Sequence, residues 1–125
     1  GSGYIGRELG QLFHNLGSEV TLIQRSKQLL KEYDPEISEA MEKSLVEQGI
    51  KLISGAIYER VEQDGEIKKV HIIVNDKKKI IESDQLLIST GRTPNTEALN
   101  LSAAGVKVGA HNEIKINDFG ETSNE

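Results

Sequence analysis

Apolar positions keep a helical spacing at the start of the chain and an alternating one in its middle. Leu9, Leu12, Phe13 and Leu16 recur three and four residues apart, which predicts a helix over 4–16. Gly17 follows where a helix-ending glycine belongs. Val20-Thr21-Leu22-Ile23 is a short β-branched run and predicts a buried parallel strand. Asp34-Pro35-Glu36 predicts a second helix start, with an N-cap, a proline in first position and an acid in the first turn. Ile37, Met41, Leu45 and Val46 read as its buried stripe and Gly49 as its end. Ile50-Lys51-Leu52-Ile53 predicts the next parallel strand. Residues 56–61, 67–74 and 79–82 then alternate apolar and polar, with turn residues at Asp64-Gly65 and Asn75-Asp76. That pattern predicts a three-stranded antiparallel meander, with Lys77-Lys78-Lys79 as a solvated, protected edge. Gln85-Leu86-Leu87-Ile88 predicts a return to the core as a strand ending at Ser89-Thr90-Gly91-Arg92. From Pro94 onward the chain reads as loop, with 113–116 a candidate short strand.

The chemistry is concentrated ahead of the first helix. Gly1-Ser2-Gly3-Tyr4-Ile5-Gly6 is a G-x-G-x-x-G run, and it opens onto an amphipathic helix, a stop and a buried strand. Such a loop follows a β-strand, so the order is βαβ with the first strand missing. The predicted fold class is α/β: a Rossmann-like parallel sheet with the meander inserted, residues 1–125 forming a single NAD(P)-binding domain. In this pattern Gly1 permits the tight turn, Gly3 lets the backbone approach a pyrophosphate, and Gly6 lets the helix pack closely. Unpaired N–H groups at the positive helix end would hold the diphosphate. Gly10, one turn later on the same face, reads as a second close-packing glycine. A glycine-rich turn without a ligand is the alternative.

Coenzyme choice is read at the end of the second strand. An NAD site places Asp or Glu there, about 20 residues after the loop, for the ribose 2′-hydroxyl. This chain has Gln24-Arg25. Gln24 brings no charge to repel a phosphate, and Arg25 offers a planar fork suited to one. Lys31, and less directly Lys27, could add point charges. The pattern favours NADP over NAD; the alternative is a solvated basic loop.

Composition narrows the class. The 125 residues are 36% hydrophobic and 28% charged, an ordinary globular balance, and the net charge of -5 argues against nucleic-acid or membrane-surface binding. With no cysteine, thiolate chemistry, disulfides and cysteine zinc sites are excluded from this chain. His14, His71 and His111 are dispersed without ligand spacing, so no metal site is expected. No apolar run approaches the ~20 residues of a membrane span and no signal-peptide pattern is present, so a cytoplasmic location is expected.

The glycine loop, Glu8, the Gln24-Arg25 turn, the meander and Ser89-Thr90-Gly91-Arg92-Thr93-Pro94-Asn95 together resemble the flavin-dependent pyridine nucleotide–disulfide oxidoreductases. Residues 9–26 are similar to the nicotinamide-nucleotide domain of the mercuric reductase branch. The resemblance covers essentially the whole chain. It implies a module that binds NADPH and passes hydride to FAD in the parent enzyme, and thence to a cysteine pair and Hg(II). It implies Tyr4 beside the nicotinamide and flavin, Glu8 near the carboxamide, and Arg25 and Lys31 on the 2′-phosphate. It also implies Gly91 close to the nucleotide and Arg92 towards the flavin domain. Simple helix packing for Tyr4 and a dipole-stabilising acid for Glu8 are the plainer readings.

The family's flavin motifs, cysteine pair and dimerisation domain are absent, so the isolated chain is not expected to catalyse the parent reaction. The implied partners are the dinucleotide, the parent's flavin domain and a second subunit. Arg7, where an apolar residue is expected, should point towards solvent or the flavin domain. Without its first strand the module is expected to associate with a neighbour or to hold a distorted loop. The alternatives are a glutathione, lipoamide or coenzyme A disulfide reductase module, or a non-catalytic nucleotide-sensing domain. A methyltransferase would want an acid near Gln24.

Overall fold

Backbone pairing first appears where the short β-branched runs lie. In the computed structural model, which describes residues 1–30 and 32–124, β1 (Thr21–Ile23) and β2 (Lys51–Ile53) form a two-stranded parallel sheet. Leu22 sits opposite Leu52, and bonds from Lys51 to Val20 and from Gln24 to Ile53 extend the ladder at both ends. Helix α1 (Tyr4–Asn15) precedes β1 and helix α2 (Pro35–Glu47) joins the two strands. Gly17 ends the first helix at φ 98, as its position predicts.

The two faces of this small sheet carry two cores, because side chains alternate along a strand. Leu22 and Leu52 join Leu29, Leu45, Ile50, Val20 and Met41 on the helix side. Ile23 and Ile53 join Ala56, Val70, Ile72, Val74, Ile81 and Leu86 on the other. The second core is roofed by the expected meander: β3 (Ile57–Asp64), β4 (Ile67–Val74) and β5 (Lys77–Ser83), antiparallel with β4 central. Val74 pairs with Lys77, so Asn75-Asp76 is a two-residue turn with both residues at positive φ, 50° and 60°. The other turn is Gly65-Glu66 rather than Asp64-Gly65, since Asp64 pairs with Ile67.

Three expectations change. The α2 stripe is rotated: Ser38 and Leu45 are buried and Met41 packs against the core, whereas Ile37 and Val46 are exposed. Glu42 and Ser38 face the loop before the helix, where their oxygens accept from the Leu29 and Leu30 amides. That loop backbone needs acceptors more than methyl groups, so polar residues take the inward line. Residues 85–88 join no sheet among the described residues: Leu86 reaches the second core but Leu87 and Ile88 are exposed. A strand exists only through a ladder partner, and residues 85–88 have none among the described residues. The 113–116 strand reduces to one bridge, between Val108 and Ile114.

The chain divides into two compact units, Gly1–Thr90 and Gly91–Glu125. The second is loop built around a 3-10 turn at Glu97–Leu99 and the Ser123 hydroxyl, which accepts from the Lys107 amide and donates to the Gly105 carbonyl, each at 2.8 Å.

Candidate functional site

The glycine loop ends in a helix start without a side-chain cap. Gly3 is the N-cap of α1, no side chain bonds the first-turn amides, and the first turn holds no acid. The first intrahelical bond runs from Arg7 N–H to Gly3 O at 3.1 Å, which leaves the earlier N–H groups for a ligand or water. A Cβ added to Gly3 would meet nothing within 4 Å, so this face is open. The other loop glycines are packed. Gly1 lies against the backbone of Ser89 and Thr90, and a Cβ on Gly6 would collide with the Gly1 carbonyl. Ser89 Oγ donates to that same carbonyl at 2.8 Å. Gly10 gives the predicted close approach to the sheet, with a Cβ there only 3.1 Å from Leu22. The loop is thus fixed underneath and free above.

Beside it lie the carboxyl ends of β1 and β2, where ligands of parallel sheets bind. Gln24 is 3% exposed and Ser2 7%. Ser2 Oγ donates to Gln24 Oε1, and Gln24 Nε2 donates to Ser54 Oγ at 2.9 Å. Arg25, the next residue, is exposed, and among the described residues no carboxylate pairs with it. Its charge opposes the rise that burial imposes on the Tyr58 pKa. The Tyr58 hydroxyl donates to Ile23 O at 2.8 Å.

Tyr4 projects from the first turn, more than half exposed, with its hydroxyl 2.8 Å from that of Tyr33. That hydrogen bond is the main reason its pKa stands above the ordinary tyrosine value. Arg7 does not point outward as expected. It is 6% exposed, its Nε donates to Gly3 O, and its guanidinium lies 5.1 Å from the centre of the Tyr4 ring. The carbonyl and the ring face accommodate a charge that has no carboxylate partner among the described residues. Glu8 is exposed one turn after Tyr4, on the same side of α1. Ile5 is exposed.

The fold therefore brings Gly1, Ser2, Gly3, Tyr4, Ile5, Gly6, Glu8, Gln24 and Arg25 into one unit. Lys31 lies outside the described residues. Gly91, at φ 140, and Arg92, exposed, begin the second unit. Sequence reasoning passed over Ser54 and Tyr33. Ser54 follows the end of β2 as Gln24 follows the end of β1, and that shared register could have singled it out. Among the described residues there is no cluster of three metal-ligating side chains, and no helix is long and apolar enough to cross a membrane.

The family profile of the pyridine nucleotide-disulphide oxidoreductases matches residues 1–125. A mercuric reductase of Lysinibacillus sphaericus is 71% identical over 125 residues, all of this chain and 23% of that protein. A dihydrolipoyl dehydrogenase of Staphylococcus aureus is 33% identical over 123 residues, 98% of this chain and 26% of that protein. Among solved structures, the HOCl-induced flavoprotein disulfide reductase RclA of Escherichia coli superposes with a TM-score of 0.86 at 30% identity, covering 98% of this chain and 27% of that one. An engineered water-forming NADPH oxidase bound to NADPH superposes at 0.81 with 26% identity, over 99% and 26%. The chain spans about a quarter of the length of the relatives it matches.

Proposed function

Since the chain belongs to the pyridine nucleotide-disulphide oxidoreductase family, we propose that it is the NADPH-binding module of an FAD-dependent reductase, with a Rossmann-type site at the carboxyl ends of β1 and β2. One observation carries the reading: an uncapped, glycine-built helix start stands beside a strand end that offers Arg25 and no acid. The amides of the α1 first turn would take the pyrophosphate over the open Gly3 face. Arg25, with Lys31, would take the 2′-phosphate.

The engineered NADPH oxidase supports the coenzyme choice. Against its NADH-oxidase parent it replaces an acid by alanine, the next residue by arginine and the next by serine, and it adds an arginine five positions further on. This chain reads Gln24-Arg25-Ser26, then Lys31, at the same spacing. The engineered enzyme's remaining change, glycine to alanine, lies eighteen positions before the acid; Gly6 stands at that distance from Gln24 and is retained here.

When bound, NADPH supplies hydride for the parent's flavin. Tyr4 would cover the nicotinamide end and hold it against water, with Glu8 orienting the carboxamide. The flavin site, the cysteine pair and a homodimer surface would belong to the longer protein. The identity to a mercuric reductase favours Hg(II) as the final acceptor over a disulfide substrate.

The test is titration of the chain with NADPH and NADH, with Arg25→Ala alongside. The substitution should weaken NADPH by about tenfold and leave NADH nearly unchanged, since one charge-assisted phosphate contact is removed. Equal affinity for the two coenzymes in both proteins would overturn the assignment.

A further inference from the structure

We infer that Ser54 is a positioning residue for the phosphate loop, acting through Gln24, and that Gln24 is thereby withdrawn from coenzyme choice. The inference rests on the nucleotide-binding reading above. A glutamine side chain has one carbonyl and one amide group to offer. Here the carbonyl accepts from Ser2 and the amide donates to Ser54 at 2.9 Å. The main chain is engaged too: Gln24 N–H donates to Ile53 O, and Gln24 O accepts from Ala56 N–H, both at 2.9 Å. With 3% of its surface exposed, Gln24 presents almost nothing to a molecule bound outside the strand ends. Exchanging its amide oxygen and nitrogen would not alter the connection, because either serine can donate or accept.

The chain of contacts starts in the loop and ends on the neighbouring strand. Ser2 lies between the two glycines whose amides lead into the helix, and its hydroxyl is turned inward, away from the open face. It fixes the orientation of the peptides on either side. Gln24, just past β1, carries that constraint onward, and Ser54, just past β2, holds the far end of the amide. Removing the Ser54 hydroxyl leaves a buried amide N–H without a partner and frees the carbonyl end to turn from Ser2. The loop then loses its brace, while Arg25 and every group facing the coenzyme stay unaltered. Such a change cannot distinguish NADPH from NADH.

Three proteins test this: the chain itself, Ser54→Ala and Ser54→Thr. Ser54→Ala should weaken NADPH and NADH by the same factor, about tenfold, with their ratio unchanged, the opposite of Arg25→Ala. Ser54→Thr keeps the hydroxyl and should restore both affinities. Amide hydrogen exchange without coenzyme supplies the second measurement: Ser54→Ala should speed exchange at residues 2–6, and Ser54→Thr should not. Unchanged exchange at the loop, or a shifted NADPH to NADH ratio, overturns the inference. If the unsubstituted chain binds neither coenzyme, the functional reading falls and the exchange result alone decides the role of Ser54.

Discussion

Glu62 on β3 accepts from Arg60 and from His71, whose Nε2 lies 3.0 Å away. Both partners hold its carboxyl below the ordinary glutamate range, Arg60 the more strongly. A carboxyl lowered in the folded state stabilises the fold above its unfolded pKa, and that contribution fades as pH falls through the lower folded value. Side-chain NMR titration should find Glu62 protonating at lower pH than an ordinary glutamate, and Arg60→Gln should move it upward. An unmoved midpoint would show that Arg60 is not the cause. Single positions also mark how far sequence can be read. The missing acid at Gln24 is visible in the letters, and so is the fork at Arg25. The burial of Gln24 is not, because it depends on two serines distant in sequence, one of them 30 residues on. Arg7 misled for a related reason: a long side chain can curl back over its own first turn, which spacing alone does not report.

At the level of elements, periodicity identified both helices, both parallel strands and the meander, since each owes its place to apolar side chains on one face. Two of its misses have distinct physical causes. One side of α2 faces a loop backbone that needs acceptors, so Ser38 and Glu42 turn towards it and Ile37, expected in the stripe, is exposed. Residues 85–88 have a strand's composition, but strand formation depends on a neighbour's hydrogen bonds and not on composition. The hairpin at Asn75-Asp76 was legible, and it carries a cost. Asp76 sits at φ 60, a region that L side chains occupy at a penalty. Asp76→Gly relieves that penalty while adding some unfolded-chain entropy, and should stabilise the fold by about 0.5 kcal/mol. Thermal melting should rise by about two degrees; a lower midpoint would mean that the Asp76 side chain supports the turn in another way.

Among the described residues many large apolar side chains are exposed. On α1, Ile5, Leu12, Phe13 and Leu16 are exposed, Leu16 at 74%, and within the same unit so are Leu87 and Ile88. Exposed apolar side chains of this kind favour association over solvation. The isolated chain should therefore show a solution mass that rises with concentration, and Leu16→Glu with Ile88→Glu should lower it. A constant monomeric mass across the range would count against this. The aromatic residues have a different consequence. The chain has no tryptophan and three tyrosines. Tyr4 opens α1, Tyr33 shares its hydroxyl bond, and Tyr58 caps the last carbonyl of β1 beside Arg25. Tyrosine emission of the unlabelled protein thus originates around the first turn of α1 and the carboxyl end of β1. Adding NADPH should dim that light with the same concentration dependence as binding measured by calorimetry, and the native fluorophores would serve as their own titration reporter.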